Sequence, residues 1–186
     1  MSALIETAEP GHLSFLVKLY PNGKGLGHLH SMSPGETLLI KPIHEFDYKP
    51  NAYSHITLVA GGAGITPFVQ IIRRIVNDPE DKTSISLVYA NKTVDDILFR
   101  SEFDGLQEKG DKFEVTYVVS DAKDQAGIVS GRVNSNIIEA AMPERSRWAQ
   151  TKVLVCGPDG FVDAVAGSKS SILKKLGIEK GQIKKL

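Results

Sequence analysis

The stretch from Leu58 to Ile75, LVAGGAGITPFVQIIRRI, constrains the fold more than any other. An apolar run ends in Gly61, Gly62 and Gly64, and Pro67 then opens a segment with apolar residues at helical spacing. Proline suits a first helical turn, where its missing N–H has no intrahelical partner. Phe68, Ile71, Ile72, Ile75 and Val76 form one apolar face. The glycines therefore fall where a strand turns into a helix. With side chains absent, an anion can approach backbone N–H groups and the positive end of the helix dipole. The spacing is G-G-x-G, not G-x-G-x-x-G, and no lysine follows in the register of an ATP-type loop. Spacing alone leaves two readings open: a phosphate cradle, or a tight turn without a ligand.

From Ser54 onward the chain alternates. HITLVA, SISLVYA, FEVTYVVS and KVLVCG read as strands, and QIKKL as a closing strand. DILFRSEFDGLQEK, VNSNIIEAA, DGFVDAVAG and SSILKKLG read as helices, the last ended by Gly177. Apolar runs without alternation fit parallel strands covered on both faces. The pattern predicts an α/β fold, a doubly wound parallel sheet, over residues 51–186. Residues 1–50 differ: HLSFLVKLY and TLLIKP read as short strands, with a short helix around Leu26 to Ser31 between them. HEFDYKPN reads as an extended linker.

Ligands on such sheets bind beyond the carboxyl ends of the strands, at the topological switch point. VCGPDGF repeats the feature found at Gly61: Cys156, Gly157 and Pro158 lead from a strand into a helix. Two bare corners on one rim, flanking one crevice, suit a long, flat dinucleotide.

Composition narrows the alternatives. With 22 basic and 22 acidic side chains, wholesale binding to nucleic acid or an anionic membrane is not indicated. One cysteine excludes a disulfide within the chain. No apolar run approaches the roughly 20 residues of a membrane span, and MSALIETAEPGH has neither signal-peptide nor transit-peptide character. The histidines, His12, His28, His30, His44 and His55, lack metal-ligand spacing, and no metal site is expected.

AGGAGITP, LVYANKTVDDILFRSEF and VCGP, in this order and spacing, closely resemble the NADH-cytochrome b5 reductases among the ferredoxin-reductase-like flavoproteins. The resemblance runs from about Gly11 to the C-terminus. GHLHSMSPGETLLIKP and ILKKLGIEKGQIKKL are most similar to fungal, mitochondrial-type members. CGPDGF, in place of the more usual CGPPPM, resembles a fungal branch associated with cytochrome c maturation.

The resemblance implies that residues 1–50 are the C-terminal remnant of an antiparallel FAD-binding β-barrel and that residues 51–186 form the NAD(P)H-binding α/β domain. It implies hydride transfer from NADH to FAD, then electron transfer to a haem protein, of cytochrome b5 or cytochrome c type, in mitochondria. Gly61, Gly62, Gly64 and Thr66 are implied to line the pyrophosphate and nicotinamide, with Thr66 near the flavin contact; its other possible role is helix capping. Cys156 is implied to lie beside the nicotinamide C4, with Gly157 and Pro158 shaping that wall; a buried cysteine is otherwise a small hydrophobe. Asp96 matches the carboxylate that favours NADH, accepting from the ribose 2′-OH and repelling a 2′-phosphate. Otherwise it is an acid at a helix start. Lys92 and Arg100, nearby in sequence, oppose that preference.

The family's R-x-Y-[ST] flavin motif is absent, and its G-K-x-[ST] element reads Gly23-Lys24-Gly25-Leu26, apolar at the hydroxyl position. Gly23, Lys24 and Gly25 still offer backbone amides to an FAD pyrophosphate. About fifty residues are too few for a closed six-stranded barrel, so the chain reads as N-terminally shortened. The expected activity is that of a cytochrome-b5 reductase. The alternative is a non-catalytic NADH-binding or assembly module without functional FAD binding. A flavin-free dehydrogenase ranks last, for want of a general base.

Overall fold

The computed structural model describes residues 2–5, 11–12, 14–17, 24–39, 46–110, 112–122, 126–168 and 170–186. In the N-terminal region β1 (Ser2–Ile5) pairs antiparallel with β2 (Ser14–Val17). The helix α1 (Lys24–Ser31) follows and overlaps the helix expected near Leu26. Of the strand expected at TLLIKP, Thr37, Leu38 and Leu39 carry no regular structure, and 40–42 lie outside the described residues. Leu39 is fully exposed. Among the described residues the antiparallel part is a two-stranded ribbon.

The α/β part is as the alternation predicts. β3 (His55–Gly61) leads through α2 (Thr66–Asn77) to β4 (Ser84–Asn91), and α3 (Arg100–Lys109) leads to β5 (Phe113–Val119). Then come β6 (Ile128–Ser130), α4 (Ser135–Ala141), β7 (Thr151–Cys156), α5 (Asp159–Ala166), α6 (Ile172–Lys175) and β8 (Ile183–Lys185). The sheet order is β6-β5-β4-β3-β7-β8, every pair parallel. The edge strand β6, only three residues long, has no counterpart in the sequence reading.

Alternate residues on each strand serve opposite cores. Ile56, Leu58, Leu87 and Tyr89 meet Phe68, Ile72 and Ile75 of α2 and Phe103 of α3. On the other face Val59, Val88, Val153 and Val155 meet α4, α5 and α6 through Ile138, Val165 and Leu173. Full burial of each such side chain stabilises by about 1.5–3 kcal/mol. The helix α2 stops because Asp78 precedes Pro79, which disfavours a helical conformation before it, and Asp78 is extended. Arg73 then ties α2 to α3 through two bonds to Glu102, of 2.7 and 2.8 Å.

The linker into β3 is pinned to the α/β part. Tyr48 is buried, and its hydroxyl donates to Asp81 at 2.5 Å. The other Asp81 oxygen accepts from the backbone N–H groups of Asn51 and Thr83. Burial pushes the Asp81 carboxyl up, but these bonds outweigh it and hold the pKa below the usual value. Burial, and then the Asp81 bond, push Tyr48 up to about 12.

Candidate functional site

β3 and β7 are parallel neighbours, with Ala60 opposite Cys156. From β3 the chain proceeds to β4 on one side, while β7 lies on the other. This is the topological switch point, where strand ends diverge into a crevice. The corners at 61–64 and 156–158 therefore lie side by side on the same rim.

The glycines there are bare for three different reasons. At Gly64 a β-carbon would stand 2.5 Å from the Cys156 carbonyl carbon and 2.6 Å from the Gly157 amide nitrogen, so the two corners touch. At Gly61 and Gly157 a β-carbon would come within 2.9 and 2.8 Å of Cδ1 of Phe161, whose ring rests on both. Gly62 alone of this group opens outward: its φ is +52°, and nothing lies within 4 Å of where a β-carbon would be. That left-handed conformation strains any other residue. Of these four, Gly62 alone has open space at its β-carbon position. The other three make room for the protein itself.

A pocket of about 480 Å³ opens along this rim. Gly61, Gly62, Pro158 and Gly160 border it at the β3 and β7 end. Phe161, Ala164, Val165 and Ile172 give it an apolar wall, and Lys92, Asp96 and Arg132 a charged one. The outer side is stitched together by backbone bonds: Ser120 N–H to Asn91 O (3.1 Å), Asp121 N–H to Lys92 O (2.9 Å) and Gly131 N–H to Val119 O (2.9 Å). A larger groove, about 620 Å³, lies at the opposite, amino-end rim near Ser54 and Thr151. It holds none of the residues expected to bind cofactor.

The expected site residues separate into two layers. Gly61, Gly62, Asp96 and Pro158 line the pocket. Thr66 and Cys156 lie beneath the rim, 1% and 0% exposed, and Gly64 is buried with them. Thr66 does not cap α2. A single 3-10 turn, Gly62–Ile65, stands between β3 and the helix, and the Thr66 hydroxyl donates back to Ala63 O at 3.0 Å. Asp96 does not start a long helix either. Its Oδ2 accepts from the Thr93 N–H (3.1 Å) and hydroxyl (2.8 Å), closing a capping box around one 3-10 turn. The helix α3 begins only at Arg100, after Phe99 in a left-handed conformation. Lys92 reaches the pocket, whereas Arg100 pairs with Asp104 on its own helix at 3.7 Å. Gly23 lies outside the described residues; Lys24 and Gly25 form the first turn of α1.

Asn91, at the end of β4, is 8% exposed, and neither amide atom has a hydrogen bond of normal geometry. It lies beside the Tyr89 hydroxyl, which accepts from the Leu98 N–H at 3.3 Å. Burial pushes Tyr89 up to about 12, so it stays protonated. Sequence reasoning missed Gly131, Arg132 and Phe161 as pocket residues. The signal for the first two was available, since IVSGR repeats the pattern of an apolar run ending in glycine.

The pocket fits a dinucleotide. Its wall includes Gly62, Gly131 and Gly160, at none of which would a β-carbon meet anything within 4 Å, so a flat ligand can approach the backbone. The charged side carries Lys92, Arg132 and Asp96.

The family model for the oxidoreductase NAD-binding domain matches residues 58–167, and the chain belongs to that family. Along nearly its whole length the chain is similar to NADH-cytochrome b5 reductases. It is 40% identical over 185 residues to NADH-cytochrome b5 reductase 2 of Mycosarcoma maydis, covering 94% of this chain and 53% of that protein. To the protein of the same name from Aspergillus oryzae it is 39% identical, covering 95% and 58%. The chain thus spans a little over half the length of these relatives. Among solved structures, the cytochrome b5 reductase domain of Ulva prolifera nitrate reductase superposes with a TM-score of 0.78 at 27% identity, over 94% of this chain and 72% of that one. Flavohemoglobin from Malassezia yamatoensis, at 18% identity, shares the fold with a TM-score of 0.73, over 98% of this chain and 45% of that one.

Proposed function

We propose that the protein is an NADH-dependent flavoprotein oxidoreductase, with residues 51–186 binding NADH at the β3/β7 crevice and residues 1–50 belonging to an FAD-binding domain. The observation that carries this is the glycine-bordered pocket at the switch point, onto which Gly62 opens a bare, left-handed backbone. When bound, FAD supplies the means to take a hydride from NADH and release electrons singly. The chain's own residues bind and orient. Gly62 and Pro158 border the path of the dinucleotide, and Asp96 meets the adenosine ribose. Thr66 and Cys156, buried under the crevice, shape the floor beneath the nicotinamide. Gly64 holds that floor together by letting the two corners touch. Gly23, Lys24 and Gly25 belong to the flavin side.

The acceptor we propose is a haem protein of the cytochrome b5 type, in keeping with the names of the relatives, in a mitochondrial setting. The test is direct. The purified chain is mixed with FAD, desalted and examined for yellow absorbance, then assayed with NADH against ferricyanide, cytochrome b5 and cytochrome c. Retained flavin with NADH-driven reduction of cytochrome b5 is the expected result. Faster reduction of cytochrome c moves the acceptor to that class.

A second reading is a non-catalytic NADH-binding or assembly module. It is favoured by Leu26, an apolar residue at the hydroxyl position of the flavin element. A colourless protein with saturable NADH binding would establish it.

A further inference from the structure

We infer that the groove at the amino-end rim of the sheet, opposite the nucleotide crevice, is a second ligand site, one that takes a small polyanion of linked phosphate groups. The inference stands apart from the nucleotide reading above. The groove, about 620 Å³, is lined by Lys82, Arg147 and Lys152 and by no carboxylate. The whole chain carries 22 basic and 22 acidic side chains, so a lining with cations only is a local concentration of charge. Among the described residues none of the three is paired with a carboxylate. Asp81, next to Lys82 in sequence, is instead committed to Tyr48, Asn51 and Thr83.

Each cation is steered by backbone. Lys82 Nζ donates to Pro79 O at 2.8 Å, Arg147 Nη2 to Ser54 O at 2.9 Å and Lys152 Nζ to Gly181 O at 2.9 Å. An ammonium has three N–H donors and a guanidinium five, so a bond that fixes the head leaves others for a ligand. The sheet order sets the spread of the charges. Lys82 precedes β4, Arg147 is bonded to the residue before β3, and Lys152 on β7 reaches towards the start of β8. The order β4-β3-β7-β8 spans three strand spacings, about 14 Å. A single phosphate engages one head at a time, whereas a chain of phosphates meets several. The planar fork of Arg147 suits paired phosphate oxygens, and the lysines on either side act as point charges. The groove also joins two parts of the chain. Asn51, Tyr53 and Ser54 come from the linker into β3, while Gln150, Lys152 and Gln182 belong to the α/β part. A bound polyanion therefore ties the linker down and stabilises the folded chain.

The test is calorimetric titration of the whole chain with inorganic tripolyphosphate and with orthophosphate. One tripolyphosphate per chain is expected, with orthophosphate weaker by about tenfold or more. Arg147→Gln, and Lys82→Gln with Lys152→Gln, should each weaken tripolyphosphate by about tenfold or more. Should Arg147→Gln fold poorly for want of its bond to Ser54, the lysine pair decides the matter, since those heads hold only carbonyls of turns. Two controls should bind like the parent: Lys92→Gln with Arg132→Gln, which strips the cations from the nucleotide crevice, and Lys109→Gln with Lys175→Gln, two exposed lysines outside the groove. Absence of saturable binding would overturn the inference. So would loss in the crevice pair with the groove variants unaffected, which would put the anion at the opposite rim. An equal loss in the Lys109 and Lys175 pair would reduce the effect to overall charge and overturn it too. Orthophosphate as tight as tripolyphosphate would overturn the linked-phosphate class.

Discussion

Gly64 and Cys156 are in backbone contact across the switch point: a β-carbon on Gly64 would stand 2.5 Å from the Cys156 carbonyl carbon. The strand-to-helix turn after β3 is thus locked against the end of β7. Backbone cannot swing aside as a side-chain tip can. Gly64→Ala should therefore destabilise the fold by about 2–3 kcal/mol or prevent it. Gly62→Ala meets only backbone strain, about 1–2 kcal/mol, and should fold while losing NADH affinity. Denaturant unfolding of both, with NADH titration of the second, checks this. A Gly64→Ala protein more stable than Gly62→Ala would contradict the contact.

Tyr48→Phe should cost about 2–3 kcal/mol. The hydroxyl donates to a fully buried carboxylate, and its loss leaves Asp81 short of one partner. Asp81→Asn should be destabilising as well, and the double variant should lose less than the sum. Urea unfolding of the four proteins measures the coupling, and strict additivity would show that the pair does not act together.

His55 sets an acid limit on stability. Burial first, and then the Arg147 charge, push its pKa down to about 4. The unfolded chain takes up the proton near pH 6.5, before the folded chain does. The stabilisation is therefore complete above about pH 6.5 and lost as pH falls towards 4, by at most about 3 kcal/mol. Denaturation midpoints at pH 5 and 7 should differ for the parent and converge for His55→Asn, which keeps a polar group near Ser84, now 2.8 Å from Nδ1. A difference equally large in both proteins would assign the acid sensitivity elsewhere.

Asp96→Asn should narrow the preference for NADH over NADPH by about three- to tenfold, because it removes the negative charge from a pocket that also holds Lys92 and Arg132. The ratio of dissociation constants is the measurement. An unchanged ratio would confine Asp96 to its bonds with Thr93.

The parallel sheet and the shared rim were readable because they depend on local pattern. Apolar runs of strand length between amphipathic helices leave few topologies, and right-handed crossovers leave fewer. The faces of α2 were readable for the same reason. At TLLIKP local pattern says less, because strand pairing depends on distant partners; Thr37, Leu38 and Leu39 are irregular. The helix expected from Asp96 onward begins only at Arg100, because Ile97 is extended and Phe99 is left-handed.

Bare corners at residues 61–64 and 156–158 follow from the order of residues alone, since glycine and proline act on their own backbone. That order did not determine what each bare position accommodates. Gly64 admits a neighbouring strand's backbone, Gly61 and Gly157 admit the ring of Phe161, and Gly62 faces the open pocket. Packing settles this, because a missing side chain is a space, and what fills a space comes from parts of the chain distant in sequence.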